Sequence, residues 1–379
     1  AIFLISYINN NMSAALIDLV SVGVQDVHLT GSPEASFFRQ SYRRYTNFSM
    51  KPERLDYIGT FDSGNEVIIP IRSKGDLLSY VWIEADNIAS IQDGDNGFFK
   101  RSATDLTEFS LWIGGQMVTT MDAMYVQGVH NPLMRDSAAK ASFAVTLNHK
   151  KENHGGNYYM LPFFFSEDWT KALPLLAMSY HEVEIRIKCR GGFTPSTTPK
   201  VYGNFIFLDT DERKFFTDRE HELLITQVQN QRFDKTDKTV DITYFNHPVK
   251  SLHVVSGNAN GAVWNDANNG FKFGTSSLYI NGNTLFEETS DVFHHDVVAE
   301  MHTTDLPDNI LDDLCTFSWP FCLTMSKMQP TGSLNFSRID TAKLTFSAPT
   351  NGNHHHRVYA VNYNILRVKD GMAGVAYGN

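Results

Sequence analysis

Along much of the chain, apolar and polar residues alternate with a period of two. The clearest run is Tyr180-His181-Glu182-Val183-Glu184-Ile185-Arg186-Ile187-Lys188, which puts Val183, Ile185 and Ile187 on one face and charge on the other. Such alternation predicts a strand with one face buried. Further strand-like runs fall at 66–71, 76–85, 110–120, 158–165 and 201–208. Later runs fall at 223–229, 241–245, 249–255, 278–280, 314–317, 332–336, 342–346 and 358–368. Gly, Asn, Asp and Pro separate these runs, as turns between short strands require. Two stretches break the pattern: 14–20 predicts a short amphipathic helix, and 121–152 predicts a helical or irregular insertion.

The two halves echo each other. Leu111-Trp112-Ile113-Gly114-Gly115-Gln116 returns as Leu278-Tyr279-Ile280-Asn281-Gly282-Asn283, each a strand-like run broken by a turn containing glycine. Leu161-Pro162-Phe163-Phe164 then parallels Trp319-Pro320-Phe321-Cys322, and Pro174 and Pro330 each lead into a further strand. A loose repeat of this kind predicts a duplicated building block. About eight strand candidates per half is the number a jelly roll needs, two four-stranded sheets packed face to face. The expected fold is therefore all-β, with two consecutive eight-stranded antiparallel jelly rolls. Asp209-Thr210-Asp211-Glu212-Arg213-Lys214 is the clearest boundary. The expected division is an N-terminal arm at 1–47, a first domain at 48–208, a linker with a short helix at 209–222 and a second domain at 223–379. The Gly/Asn-rich stretch 258–269 predicts an exposed loop.

Composition narrows the function classes. With 379 residues, 42% hydrophobic and 20% charged, the chain is long enough for two folded domains. The 27 Phe and 15 Tyr favour β structure and broad packed interfaces. A net charge of −10 lacks the basic excess that phosphate neutralisation demands, so no specific nucleic-acid binding is expected. The local basic cluster Arg39, Arg43 and Arg44, interleaved with Phe37, Phe38, Tyr42 and Tyr45, suits a protein interface or base stacking. Three cysteines without a Cys-x-x-Cys pair argue against a zinc site or a disulfide scaffold and fit assembly in a reducing compartment. No run reaches the roughly 18 apolar residues of a membrane span. Ala1 to Ser6 is apolar but lacks the basic flank of a signal peptide, and Met12-Ser13 reads as a more natural start than Ala1. The first eleven residues remain open between a gene-model extension, an upstream fragment and an anchoring arm.

Candidate chemistry is thin. His354-His355-His356 follows Asn351-Gly352-Asn353 in a predicted hairpin, where adjacent side chains point to opposite faces rather than at one metal. His294-His295 shares that problem. His181-Glu182 and His221-Glu222 begin like a zincin motif but lack the second histidine four residues on. A cupin-like metal set around His354 and His356 lacks its following acid. Asp305, Asp308, Asp312 and Asp313 could pair for glycoside hydrolysis, but Pro307 and Asn309 among them suit a solvated loop. No nucleophile elbow, Walker loop or dinucleotide fingerprint occurs. No cofactor and no catalytic residue are expected. Asn47-Phe48-Ser49 and Asn335-Phe336-Ser337 are formal glycosylation sequons, each abutting an apolar strand.

A set of ordered motifs spans residues 23–379. They include Gln25-Asp26-Val27-His28-Leu29-Thr30-Gly31, Tyr42-Arg43-Arg44-Tyr45-Thr46-Asn47-Phe48, Ile113-Gly114-Gly115-Gln116 and Leu161-Pro162-Phe163-Phe164-Phe165. Others are Tyr180-His181-Glu182-Val183, Phe207-Leu208-Asp209-Thr210, Phe336-Ser337-Arg338-Ile339-Asp340, Asn362-Tyr363-Asn364-Ile365-Leu366-Arg367 and Gly371-Met372-Ala373-Gly374. On these segments the chain resembles the major capsid proteins of large icosahedral double-stranded DNA viruses, especially those infecting algae and other protists. The resemblance implies two jelly rolls and a homotrimer that forms a pseudo-hexagonal capsomer in the outer shell of the virion. It implies assembly in the infected cell, in the cytoplasm. Its implied partners are neighbouring capsomers, minor capsid and penton proteins, and indirectly an inner membrane. The arm carrying Arg39, Tyr42, Arg43, Arg44 and Tyr45 would lie low in the capsomer as an assembly arm, and loops 258–270 and 300–312 would face outward. Compact loops in the second half depart from the family, and the residues before Met12 have no transferable role. The rival expectation is a carbohydrate-binding jelly roll that stacks a sugar on Trp264 or Tyr279.

Overall fold

Among the described residues, eight strands lie between 48 and 208. They are β1 (Phe48–Leu55), β2 (Glu66–Ile71), β3 (Leu77–Glu84), β4 (Glu108–Ile113), β5 (Gln116–Asp122), β6 (Tyr158–Leu161), β7 (Val183–Lys188) and β8 (Lys200–Leu208). They form two antiparallel sheets in the orders β1-β8-β3-β6 and β2-β7-β4-β5. That wrapped order is the jelly-roll topology. The second half repeats it with β9 (His221–Asp234), β10 (Thr239–Asp241), β11 (Pro248–Asn258), β12 (Thr275–Ile280), β13 (Asn283–Ser290), β14 (Thr316–Pro320), β15 (Leu334–Asn335), β16 (Ala342–Phe346), β17 (His354–Lys369) and β18 (Met372–Val375). Here the orders are β9-β17-β11-β14 and β10-β16-β12-β13, with β15 added on β11 and β18 on β17. Strand for strand, the chain holds two consecutive eight-stranded jelly rolls. The structure, a computed structural model, describes residues 21–72, 74–86, 88, 97–98, 105–137, 158–234, 237–258, 273–304, 316–347 and 354–378. Of these, residues 21–46 belong to one unit and the described residues from 47 onward to another.

Alternation fixes the sandwich faces. Val67 and Ile69 of β2, Ile185 and Ile187 of β7, and Phe109 and Leu111 of β4 point inward, all fully buried. Val81 and Ile83 of β3 and Val201 and Phe205 of β8 oppose them. The second sandwich closes over Trp319, Phe273, Leu344, Leu278 and Leu252. The first core does not stop at the first half. It continues through Ile225, Val255, Tyr359 and Val361, so the two jelly rolls share one apolar seam.

The echoed motifs are two hairpins. Gly114 and Gly115 connect β4 to β5 at φ 57° and 78°, and Asn281 and Gly282 connect β12 to β13 at φ 48° and 81°. Two central residues at positive φ give a turn whose twist matches that of the strands, which is why Gly and Asn stand there. The helical insertion in 121–152 is seen in part. Ala123–Tyr125, Val126–His130 and Asn131–Leu133 form a continuous helical stretch with a π-helical centre, whereas 138–152 lies outside the described residues. The counterpart after β13 is Phe293–Val297 and Val298–His302, also π-helical at its start.

Several expectations shift in detail. The run 158–165 ends as a strand at Leu161, because Pro162 has no N–H to give and Phe164–Glu167 turns helical. In 332–336 only Leu334–Asn335 is strand, and Phe336–Arg338 forms a tight 3-10 turn. The helix Thr210–Asp218 joins the halves, and β9 already begins at His221. The predicted helix at 14–20 lies outside the described residues.

Candidate assembly surfaces

The seam between the jelly rolls is built on Asp122. It ends β5, is 1% exposed, and its Oδ1 accepts from Tyr125 N at 2.8 Å, which caps the helical stretch that follows. The Tyr359 hydroxyl of β17 donates to the same carboxylate at 2.7 Å, and Arg357 Nη1 lies 3.2 Å from Oδ2. Arg357 also donates to Asn230 of β9 at 3.0 Å. Burial pushes the Asp122 carboxyl up from its ordinary range, and Arg357 opposes that shift. Around this centre, Thr316 donates to the Gly128 carbonyl at 3.0 Å and Thr226 to Glu167 at 2.7 Å. Glu167 also pairs with Lys171 at 3.2 Å. At one end, the backbone of Tyr180 donates to Gly371, and His181 Nδ1 lies 2.8 Å from the Ala373 carbonyl.

The second half buries histidines in neutral form. His253 Nε2 lies 2.8 Å from Ser251 Oγ and its Nδ1 2.8 Å from Ser318 Oγ. Burial lowers its pKa to about 3. His294 stacks on Trp319 at 4.3 Å and contacts Ser276 and the Ser318 carbonyl at 2.9 Å. Burial lowers its pKa to about 4. Lys250 is also buried, its pKa lowered by desolvation, with Nζ 6.0 Å from the Tyr363 ring.

Among the described residues, one partly exposed aromatic surface and one exposed apolar surface of the body stand out. On the outer side of β1-β8-β3-β6, Trp82 stacks on Tyr202 at 5.3 Å, and Tyr80 lies beside Trp82 at 5.6 Å and Trp169 at 6.1 Å. A groove of about 700 Å³ runs there, bordered by Tyr80, Trp82, Tyr158, Met160 and Lys200. The other surface is the helical stretch after β13, where Val292, Val297 and Met301 are 57%, 40% and 68% exposed.

The predicted site residues fall apart into separate places. Arg39, Tyr42, Arg43, Arg44 and Tyr45 sit on the irregular, exposed part of the N-terminal unit, with Tyr42 and Tyr45 at least 80% exposed. Asn47 is exposed just before β1. Asn335 is exposed, but its Oδ1 accepts from Ser337 N at 3.1 Å. The histidine candidates serve the fold: His181 joins Ala373, and His221 Nε2 meets the Phe216 carbonyl at 3.0 Å. His356 is buried in β17. Among the described residues no cluster of metal-ligating side chains forms. Asp305, Asp308, Asp312, Asp313 and Trp264 lie outside the described residues. Tyr279 is 40% exposed on β12. Asp122, Arg357 and Tyr359 were missed from the sequence. The only local signal was an acid three residues before Tyr125, at a strand end.

Comparison with known proteins gives one answer along the whole chain. Residues 36–209 match the family described as major capsid protein N-terminus, and residues 212–374 the family described as large eukaryotic DNA virus major capsid protein. The major capsid protein of Pyramimonas orientalis virus is 30% identical over 412 residues, covering 97% of this chain and all of that protein. That of Paramecium bursaria Chlorella virus 1 is 28% identical over 458 residues, with 97% and 100% covered. Both alignments are longer than the 379-residue chain, so these relatives carry insertions relative to it. Among solved structures, VP54 of PBCV-1 superposes with a TM-score of 0.72 at 23% identity, covering 91% of this chain and all of that one. The Faustovirus major capsid protein superposes at 0.64 with 10% identity, covering 92% and 95%.

Proposed function

The chain belongs to the major capsid proteins of large eukaryotic DNA viruses, and on that premise we propose that three copies close into a pseudo-hexagonal capsomer that tiles an icosahedral shell. The chain is a structural component of the virion, working by association with itself rather than by catalysis. The observation that carries the trimer is the duplication: two jelly rolls per chain supply six similar pillars from three copies. One heterologous contact, repeated around the ring, then closes it. In this reading the arm 1–47 reaches neighbouring subunits, 48–208 and 223–379 are the two pillars, and 209–222 links them. Minor capsid and penton proteins are its further partners, and assembly takes place in the host cytoplasm.

Negative-stain imaging of the purified full chain tests the reading, with uniform pseudo-hexagonal particles expected. Particles of single-chain size under assembly conditions would overturn it. Replacing Arg43 and Arg44 together with alanine is expected to impair shell assembly while leaving the melting temperature unchanged. Unaltered assembly would remove the arm from the mechanism.

A further inference from the structure

Lys250 stands near the start of β11 and is only 6% exposed. Among the described residues its amino group has no hydrogen-bond or ion-pair partner, and the Tyr363 ring lies 6.0 Å from Nζ. A buried amino group needs a polar partner, because a bare one forfeits its hydration without return. Glu167 is close enough to favour its charge and too far for an ion pair. That carboxylate is also engaged already. Oε1 accepts from the Thr226 hydroxyl at 2.7 Å, and Oε2 pairs with Lys171 at 3.2 Å.

Lys250 and Glu167 border one small cavity, about 10 Å³ in volume, on the seam between the jelly rolls. Tyr125, His130 and Glu167 reach it from the first jelly roll, and Thr226, Lys250 and Ser326 from the second. His130 is 5% exposed, and its Nδ1 has no hydrogen-bond partner among the described residues. Burial, with Arg135 nearby, holds the His130 pKa well below its ordinary value, so the ring is neutral. Its Nδ1 then carries either an N–H or a lone pair, according to the tautomer. Two polar side chains, each more than nine-tenths buried and each without a protein partner, thus line the same cavity.

We propose that this cavity is a binding site for one water molecule, which joins Lys250 of the second jelly roll to His130 and Glu167 of the first. Size and charge select the ligand. A single water needs about 10–15 Å³ of such space, so the site has room for one and for nothing larger. A cation would face Lys250 and Lys327, and an anion would face the Glu167 carboxylate. Water suits every wall. It accepts from Lys250, donates to Glu167 and meets His130 Nδ1 in whichever role the tautomer requires. A bridging water is nearly as good as a direct hydrogen bond. The seam therefore gains a polar tie where Lys250 and Glu167 stand too far apart to meet. The site lies within one chain, so it holds whether or not three copies close into a capsomer.

A crystal structure of the full chain, grown with bromide as the only halide and at a resolution that shows ordered water, tests the site. One compact peak is expected within hydrogen-bond distance of Lys250 Nζ and of His130 Nδ1 or Glu167, with no anomalous signal at the bromine edge. A bromine signal there would make the ligand an anion. An empty cavity, or a direct Lys250–Glu167 ion pair across it, would leave no place for water. Any of these results overturns the proposal. Lys250→Met keeps an unbranched side chain of similar bulk and removes the donor. In that variant the peak is expected to be lost while Glu167 keeps Lys171 and Thr226. A peak of undiminished height would show that Lys250 does not hold the water, which also overturns the assignment.

Discussion

The outer faces of β1-β8-β3-β6 and β9-β17-β11-β14 share a strand order and differ in everything that touches them. The second is covered by the first half of the same chain. Its central row is small and polar, with Ser318 and His253 beside Tyr359, and each of these is at most 3% exposed. The first carries no element of the second jelly roll among the described residues, and its matching row, Met160, Trp82 and Tyr202, is partly exposed. A contact made inside one chain forms once, on folding, and can be knitted from hydrogen bonds between groups that never separate. A contact between chains must be made from separate surfaces, and large aromatic area provides the association energy at about 25 cal/mol per Å² of apolar burial before ordering costs. The two faces thus differ in what the rest of the same chain lays over them.

The largest effect should come from the covered side. Asp122→Ala leaves Arg357 and the Tyr359 hydroxyl buried without their carboxylate, which costs about 3–5 kcal/mol. At the end of β13, where Ser290 Oγ accepts from Phe293 N at 3.3 Å, Ser290→Ala removes only a cap, worth about 1 kcal/mol or less. Urea unfolding of both variants checks this, and equal losses would show that the two caps are not in opposite surroundings.

Acid should act next. His253 and His294 are held neutral with pKa values of about 3 and about 4, below the ordinary 6.5. Between 6.5 and those values the unfolded chain takes up protons that the folded chain refuses, so stability is lost as pH falls. From pH 7 to 5 each contributes on the order of 2 kcal/mol. Asp122 runs the other way, since its raised carboxyl favours the folded state as it protonates. Melting temperatures across that range should fall, and a His253→Asn variant should fall less steeply. A flat profile would contradict the neutral assignment.

The smallest contrast lies in the twin hairpins. Gly114 and Gly282 both have positive φ, but a Cβ at Gly114 would meet the His181 ring at 2.5 Å, whereas none of the surrounding atoms comes within 4 Å at Gly282. Gly282→Ala should cost about 1 kcal/mol, the left-handed strain alone. Gly114→Ala should cost more, because His181 also tethers Ala373. Thermal melts of the two variants would expose any failure of that ranking.

Much of this architecture was legible in the sequence where one face of a strand is buried. Val183, Ile185 and Ile187 alternate because β7 has a wet side, and the two turns announce themselves through glycine at positive φ. β1 and β13 escaped notice for the opposite reason. Phe48 and Met50 lie half exposed on β1, Pro52 interrupts it, and β13 is polar apart from Leu285 and Phe286. The seam was illegible because its parts, Asp122 and Tyr359, are 237 residues apart and meet only after both halves fold. The partly exposed aromatic face was illegible too, since Tyr80, Trp82 and Tyr202 resemble core aromatics until their direction is known.

Native mass spectrometry of the purified full chain, near neutral pH and micromolar concentration, tests the central claim most directly. The account predicts a dominant species of three times the chain mass. A wild-type spectrum dominated by the single chain, or by a pair, would contradict it.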